Sequence, residues 1–75
     1  MLNNNTLRSL RYTFNLSDSK MMALFALAEY PVTREQVSQW LKKDDDPDFK
    51  TLEDVELAIF LNGLIFKKRG KKEGP

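Results

Sequence analysis

The stretch from Thr51 to Arg69, TLEDVELAIFLNGLIFKKR, constrains this chain more than any other. Read as a helix, it carries one apolar stripe at Val55, Ile59 and Phe66 and a second at Leu57, Leu61 and Leu64. Such a helix is apolar around most of its girth and is normally buried by neighbours. The pattern therefore predicts a long last helix packed across whatever the earlier part of the chain forms.

That earlier part reads as three shorter amphipathic helices. Asn3, Asn4 and Asn5 are all suited to cap a first helix starting near Thr6, because their short side chains accept from the free amides of a first turn. Leu7, Leu10 and Phe14 fall on one face of it, with Arg8 and Arg11 on the flank. After Asn15 and Leu16, Ser17 is the next N-cap, and Asp18 complements the dipole of a second helix. MMALFALAEY is so apolar that this helix must be largely covered, and Pro31 marks its end. Thr33 and Gln36 form a capping box for a third helix from Arg34 to about Lys42, with Val37, Trp40 and Leu41 facing inward.

The run Asp44, Asp45, Asp46, Pro47, Asp48 reads as a loop, since like charges repel and proline cannot continue a helix. Phe49 is expected to pin that loop against the core. Thr51 is expected to cap the last helix, with Asp54 at the box position. Gly63 costs the helix up to about 1 kcal/mol relative to alanine, so it marks either a close helix crossing or the start of fraying. No segment shows the alternation of a strand. The expected fold is all-α: a compact bundle of four short helices, the last and longest packed across the first three. Residues 1–69 form this helical domain, and 70–75 read as a disordered basic tail or the start of an interdomain linker.

Composition narrows the chemistry. A chain of 75 residues makes one domain with little surplus stability. With no cysteine and no histidine it lacks thiolate nucleophiles, thiolate metal sites and imidazole bases. No catalytic, cofactor-binding or metal-binding set stands out, and the chain reads as a non-enzyme. The N-terminal MLNNNTLRS lacks the apolar core of a signal peptide. The apolar run Leu57 to Phe66 falls short of the roughly 20 residues a membrane span needs. A soluble cytoplasmic protein is expected. The formal charge of +1 conceals an asymmetry. Lys67, Lys68, Arg69, Lys71 and Lys72 leave seven of the twelve basic residues for 1–66, against ten of the eleven acidic ones, a net charge of −3.

Four constellations bear on function. Asp44, Asp46 and Asp48 repeat the alternate-aspartate opening of a calcium loop, but Phe49 stands where that loop needs glycine and Val55 where it needs glutamate, so a solvated loop is the better reading. The second and third helices, residues 18–43, resemble a helix-turn-helix unit whose outward Arg34, Gln36, Gln39, Lys42 and Lys43 are of types that contact nucleic acid. Leu27 and Pro31 depart from that pattern. Glu53, Asp54 and Glu56 complement the dipole of the last helix without needing another role. Arg8 and Arg11 are spaced to hold an anion or to pair with acidic residues such as those of the loop.

Three motifs, NNNTLRSLRY (Asn3 to Tyr12), TREQVSQWLKKDDDPDF (Thr33 to Phe49) and FLNGLIFKKRG (Phe60 to Gly70), resemble the YehS-like family of bacterial proteins of unknown function. The resemblance covers nearly the whole chain and implies no known activity, cofactor or catalytic residue. It implies further that this unit usually occurs in two tandem copies, of which one is present here, so that residues 67–75 correspond to linker.

The leading expectation is a noncatalytic helical module that binds a protein surface, either a second copy of itself or a separate partner, through Phe60, Leu64, Ile65 and Phe66. A domain this small has difficulty hiding both stripes of the last helix, and leftover apolar surface is usually a contact surface. The alternative is nucleic-acid binding through the helix-turn-helix-like unit.

Overall fold

The computed structural model describes residues 2–69. It contains four helices: α1 (Asn3–Thr13), α2 (Asp18–Leu27), α3 (Arg34–Leu41) and α4 (Asp54–Lys68), with no strand among the described residues. The expected tail, 70–75, lies outside them.

Helix α2 is the spine. It packs against α4 on one side and α3 on the other, while α1 lies against α3 and, more lightly, α4. Phe25 of α2 sits at the centre of the core, its ring 5.3 Å from that of Trp40 and 5.2 Å from that of Phe60. Leu7, Met21, Leu24, Val37 and Leu52 close around this cluster, each essentially fully buried. The last helix thus spans the bundle as its apolar girth predicts.

Gly63 decides how closely α2 and α4 approach. A Cβ built at this position would stand 2.0 Å from the carbonyl oxygen of Leu24 and 2.7 Å from its carbonyl carbon. Only hydrogen fits between these two backbones. Of the two roles open to this glycine in the sequence, the close crossing is the one it fills. The helices run antiparallel from that point, so Phe60 meets Phe25 and Glu56 meets Tyr30.

The asparagines at the N-terminus act differently from the expected caps. Helix α1 begins at Asn3, and its N-cap is Leu2, which offers no side-chain bond. Asn4 is fully buried: its amide donates to the carbonyls of Trp40 (2.9 Å) and Lys50 (2.7 Å), and its Oδ1 accepts from the Leu52 amide (2.9 Å). Asn3 donates to the Leu52 carbonyl (3.0 Å) and to Asp54 Oδ1 (2.6 Å). These bonds fasten residues 50–52 to α1 and carry Leu52 into the core. For the same reason α4 starts at Asp54 rather than near Thr51, with Glu53 at its N-cap and the Glu56 side chain accepting from the Glu53 amide (2.9 Å). Phe49 is half-buried.

The other boundaries follow local chemistry. Ser17 caps α2 and the Thr33–Gln36 box caps α3, as the sequence indicates. Helices α1 and α2 end in paired bonds from Asn15 and Leu16 and from Glu29 and Tyr30 back into the last turn, with Asn15 and Glu29 at positive φ (52° and 62°).

Two stability measurements follow. Gly63→Ala gains helix propensity, yet overpacking against Leu24 outweighs it, and urea unfolding is expected to show a loss of about 2 kcal/mol or more. Asn4→Ala strands the Trp40 carbonyl and the Leu52 amide in the interior, each costing about 1–3 kcal/mol, and is expected to destabilise at least as strongly.

Candidate functional site

The residues singled out in the sequence distribute over three surfaces. Phe60, expected at an apolar contact, is fully buried against Phe25 and belongs to the core, because it shares the inward face of α4 with Gly63. Leu64 and Phe66 are half-buried, while Ile65 is 46% exposed. Turned outward with Ile65 are Ala58 and Leu61, with Val55 beside them. Ala58, Leu61 and Ile65 follow one another at spacings of three and four, the repeat of a coiled-coil seam. Exposed Asp54 and Lys68 extend the same stripe, each seven residues from Leu61. The helix is therefore apolar on both sides, with one side spent on the core and the other open.

The five residues of the helix-turn-helix reading divide between two faces. Gln36 accepts from the Thr33 amide (2.8 Å) as part of the capping box, and with Gln39 it lines a hollow shared with Glu53 and Glu56. Carboxylates there oppose a phosphate backbone. Arg34 turns the other way, donating to Ser19 Oγ (2.9 Å) and lying 3.7 Å from Asp18. Lys42 also belongs to that second face. Lys43 is exposed next to the aspartate loop.

On the second face stand the two arginines of α1. Arg8 is half-buried, donating to the Lys42 carbonyl (2.8 Å) and to Asn5 Oδ1, so it ties α1 to the end of α3. Arg11 lies 3.5 Å from Asp18. Neither arginine pairs with the acidic loop, because α1 carries them to the start of α2 and the end of α3. With Tyr12, Asp18, Ser38 and Lys42 they border a hollow of about 480 Å³. Tyr12 and Arg11 also border a second, larger hollow of about 730 Å³ on the side of Ser17 and Lys20. The sequence reading marked Arg8 and Arg11 but missed Tyr12; its position opposite Leu10 and Phe14 on the α1 wheel was the available signal.

Two carboxylates elsewhere, Asp46 and Glu56, are engaged in structure. Asp46 Oδ1 accepts from the Asp48 amide (2.8 Å), ordering the loop. Among the described residues no group of three or more His, Cys, Asp or Glu is placed to hold a metal ion. Glu56 Oε2 accepts from the Tyr30 hydroxyl (3.0 Å). That bond, with partial burial and the negative charge of Glu56, raises the Tyr30 pKa above its ordinary 10.0. No helix among the described residues is long and apolar enough to cross a membrane.

Comparison with known proteins identifies a family and a relative of unknown function. A family described as "Protein of unknown function (DUF1456)" matches residues 3–70. The chain is 42% identical over 73 residues to the "Uncharacterized protein YehS" of Escherichia coli (strain K12), covering 97% of this chain and 47% of that protein. It thus spans about half the length of this curated relative. No solved structure matches.

Because the raised Tyr30 pKa reflects tighter proton binding in the folded state, its stabilising contribution is present below pH 10 and is lost as pH rises through the folded pKa. Thermal melts are expected to show wild type losing stability relative to Tyr30→Phe above pH 10, with no such divergence at neutral pH.

Proposed function

The chain belongs to the DUF1456 family of proteins of unknown function, and from that premise we propose that it is a noncatalytic interaction module that docks a second copy of its own unit along the outward face of α4. The observation that carries this reading is the open seam of Ala58, Leu61 and Ile65 with opposite charges at its ends. Leu61 and Ile65 remain 38% and 46% exposed, although the helix that bears them is the most apolar long segment of the chain. An apolar stripe framed by charge is the usual form of a protein contact surface.

The charges argue for the partner and its direction. Asp54 and Lys68 lie equally far from Leu61, so two copies of α4 laid antiparallel place Asp54 of one beside Lys68 of the other at both ends. A two-fold axis then passes near Leu61, and the patch is complementary to itself. A parallel arrangement sets like charges together and is disfavoured. The family resemblance supports the same occupant, since it implies that the unit usually occurs in tandem, and the relative is about twice as long as the part this chain matches. Leu64 and Phe66, half-buried, flank the seam and contribute their edges.

The acidic residues at the start of α4 are held by bonds within the fold. Glu56 is bonded to the Glu53 amide and to Tyr30, and Asp54 to Asn3, so each has a structural occupation.

Sedimentation equilibrium tests the proposal. Wild type is expected to form dimers as concentration rises into the high micromolar range. Leu61→Ser and Ile65→Ser are expected to weaken the dimer by about tenfold or more, given the apolar area each removes, with little change in unfolding midpoint. Lys68→Glu is expected to weaken it more at low salt than at high salt. A wild type monomeric at every concentration, or a dimer unaffected by Leu61→Ser, contradicts the proposal.

A further inference from the structure

The basic residues of the folded body are gathered on one side of it. Of the seven in residues 1–66, five (Arg8, Arg11, Lys20, Arg34 and Lys42) border or adjoin the two hollows on either side of Tyr12. Asp18 is the acidic residue that lines these hollows, and it is shared between Arg11 and Arg34. A body with a net charge of −3 therefore lines these two hollows with four basic side chains, Arg8, Arg11, Lys20 and Lys42, against the one carboxylate of Asp18. Lys67, at the end of α4, shares a further apolar hollow with Leu16 and Lys20 and continues the basic track.

Tyr12 stands in the middle of this track with 89% of its surface open to solvent, the most exposed large apolar side chain of the described residues. Its ring separates the hollow bordered by Arg8 and Lys42 from that bordered by Ser17 and Lys20. Nothing in the packing of the bundle requires an aromatic there, because α1 buries its opposite face through Leu7.

From this juxtaposition we infer that the face around Tyr12 binds single-stranded nucleic acid, with the phosphodiester chain following the basic track and an unpaired base stacking on the Tyr12 ring. Positive grooves interrupted by exposed aromatic rings are how single strands are held without sequence readout. An extended strand suits the face better than a duplex, since stacking on the exposed Tyr12 ring needs an unpaired base. Arg8, fixed by the Lys42 carbonyl and Asn5, holds its charge in place, whereas Arg11 and Arg34 share one carboxylate and keep an excess positive charge for phosphates. This inference is independent of the α4 seam, and of the five residues in the helix-turn-helix reading it draws on Arg34 and Lys42.

Fluorescence polarisation with a labelled oligothymidylate of twelve nucleotides tests it with the full chain. Wild type is expected to bind with log K falling linearly in log salt concentration. Tyr12→Ala, at an exposed position, is expected to lower affinity about tenfold with the salt slope unchanged. Arg11→Gln is expected to reduce the slope by about 0.7, the contribution of one phosphate contact. A variant with Lys71 and Lys72 both changed to Gln is expected to keep its sensitivity to Tyr12→Ala. No binding at low salt, binding indifferent to Tyr12→Ala, binding abolished by the Lys71 and Lys72 changes alone, or a poly-glutamate peptide bound as tightly as the oligonucleotide overturns the inference.

Discussion

The contact between Gly63 of α4 and the Leu24 carbonyl of α2 sets the geometry on which the rest of this small bundle depends. With no side chain between the two backbones, the helices approach closely enough for Phe60 to stack beside Phe25, and through Phe25 to reach Trp40 of α3. A chain of this size has few apolar side chains to spare, and a crossing held apart by even one methyl group leaves the ring cluster incomplete. The same crossing fixes the rotation of α4. Once Phe60 and Gly63 face inward, Leu61 and Ile65 must face outward, so the core contact and the open seam are two consequences of one constraint.

A second constraint comes from polar groups. The chain between α3 and α4 is rich in aspartate and has no regular backbone pairing of its own, and Asn4 supplies what it lacks by satisfying Trp40, Lys50 and Leu52 from the buried end of α1. A polar side chain placed so deeply is stable only because its amide donates twice and its carbonyl accepts once. Motifs that read like a signature, NNNTLRSLRY and FLNGLIFKKRG, thus contain the clamp and the crossing that build the fold.

How much of this was legible in the sequence differs by the range of the interaction. Local chemistry read well: the Ser17 cap, the Thr33 and Gln36 box, the breaks around Pro31 and Pro47, and the four-helix count all rest on neighbours within a few residues. Long-range polar bonds did not read. Asparagine at a helix start looks like a cap, and only the folded chain reveals that Asn4 reaches residues 36 to 48 positions away, which also moves the start of α4 from Thr51 to Asp54. The apolar girth of α4 was plain, but periodicity alone could not say which stripe is covered, so Phe60 stood with the surface residues when it belongs to the core. Likewise the arginines of α1 were visible, whereas the gathering of Lys20, Arg34 and Lys42 around them depends on how three helices meet.

The resulting molecule has a neutral apolar seam along its last helix and a basic face on α1 and its neighbours, two surfaces carried on different elements. Of the two, the outward face of α4 is the one proposed to join copies of this unit. A dilution series of backbone amide spectra tests it most directly, since it reads every residue at once. Pairing through this face produces concentration-dependent shifts confined to α4 around Ala58, Leu61 and Ile65, with the amides of α1 unmoved. Shifts centred on α1 or α2 instead, or spectra identical across the series, would contradict it.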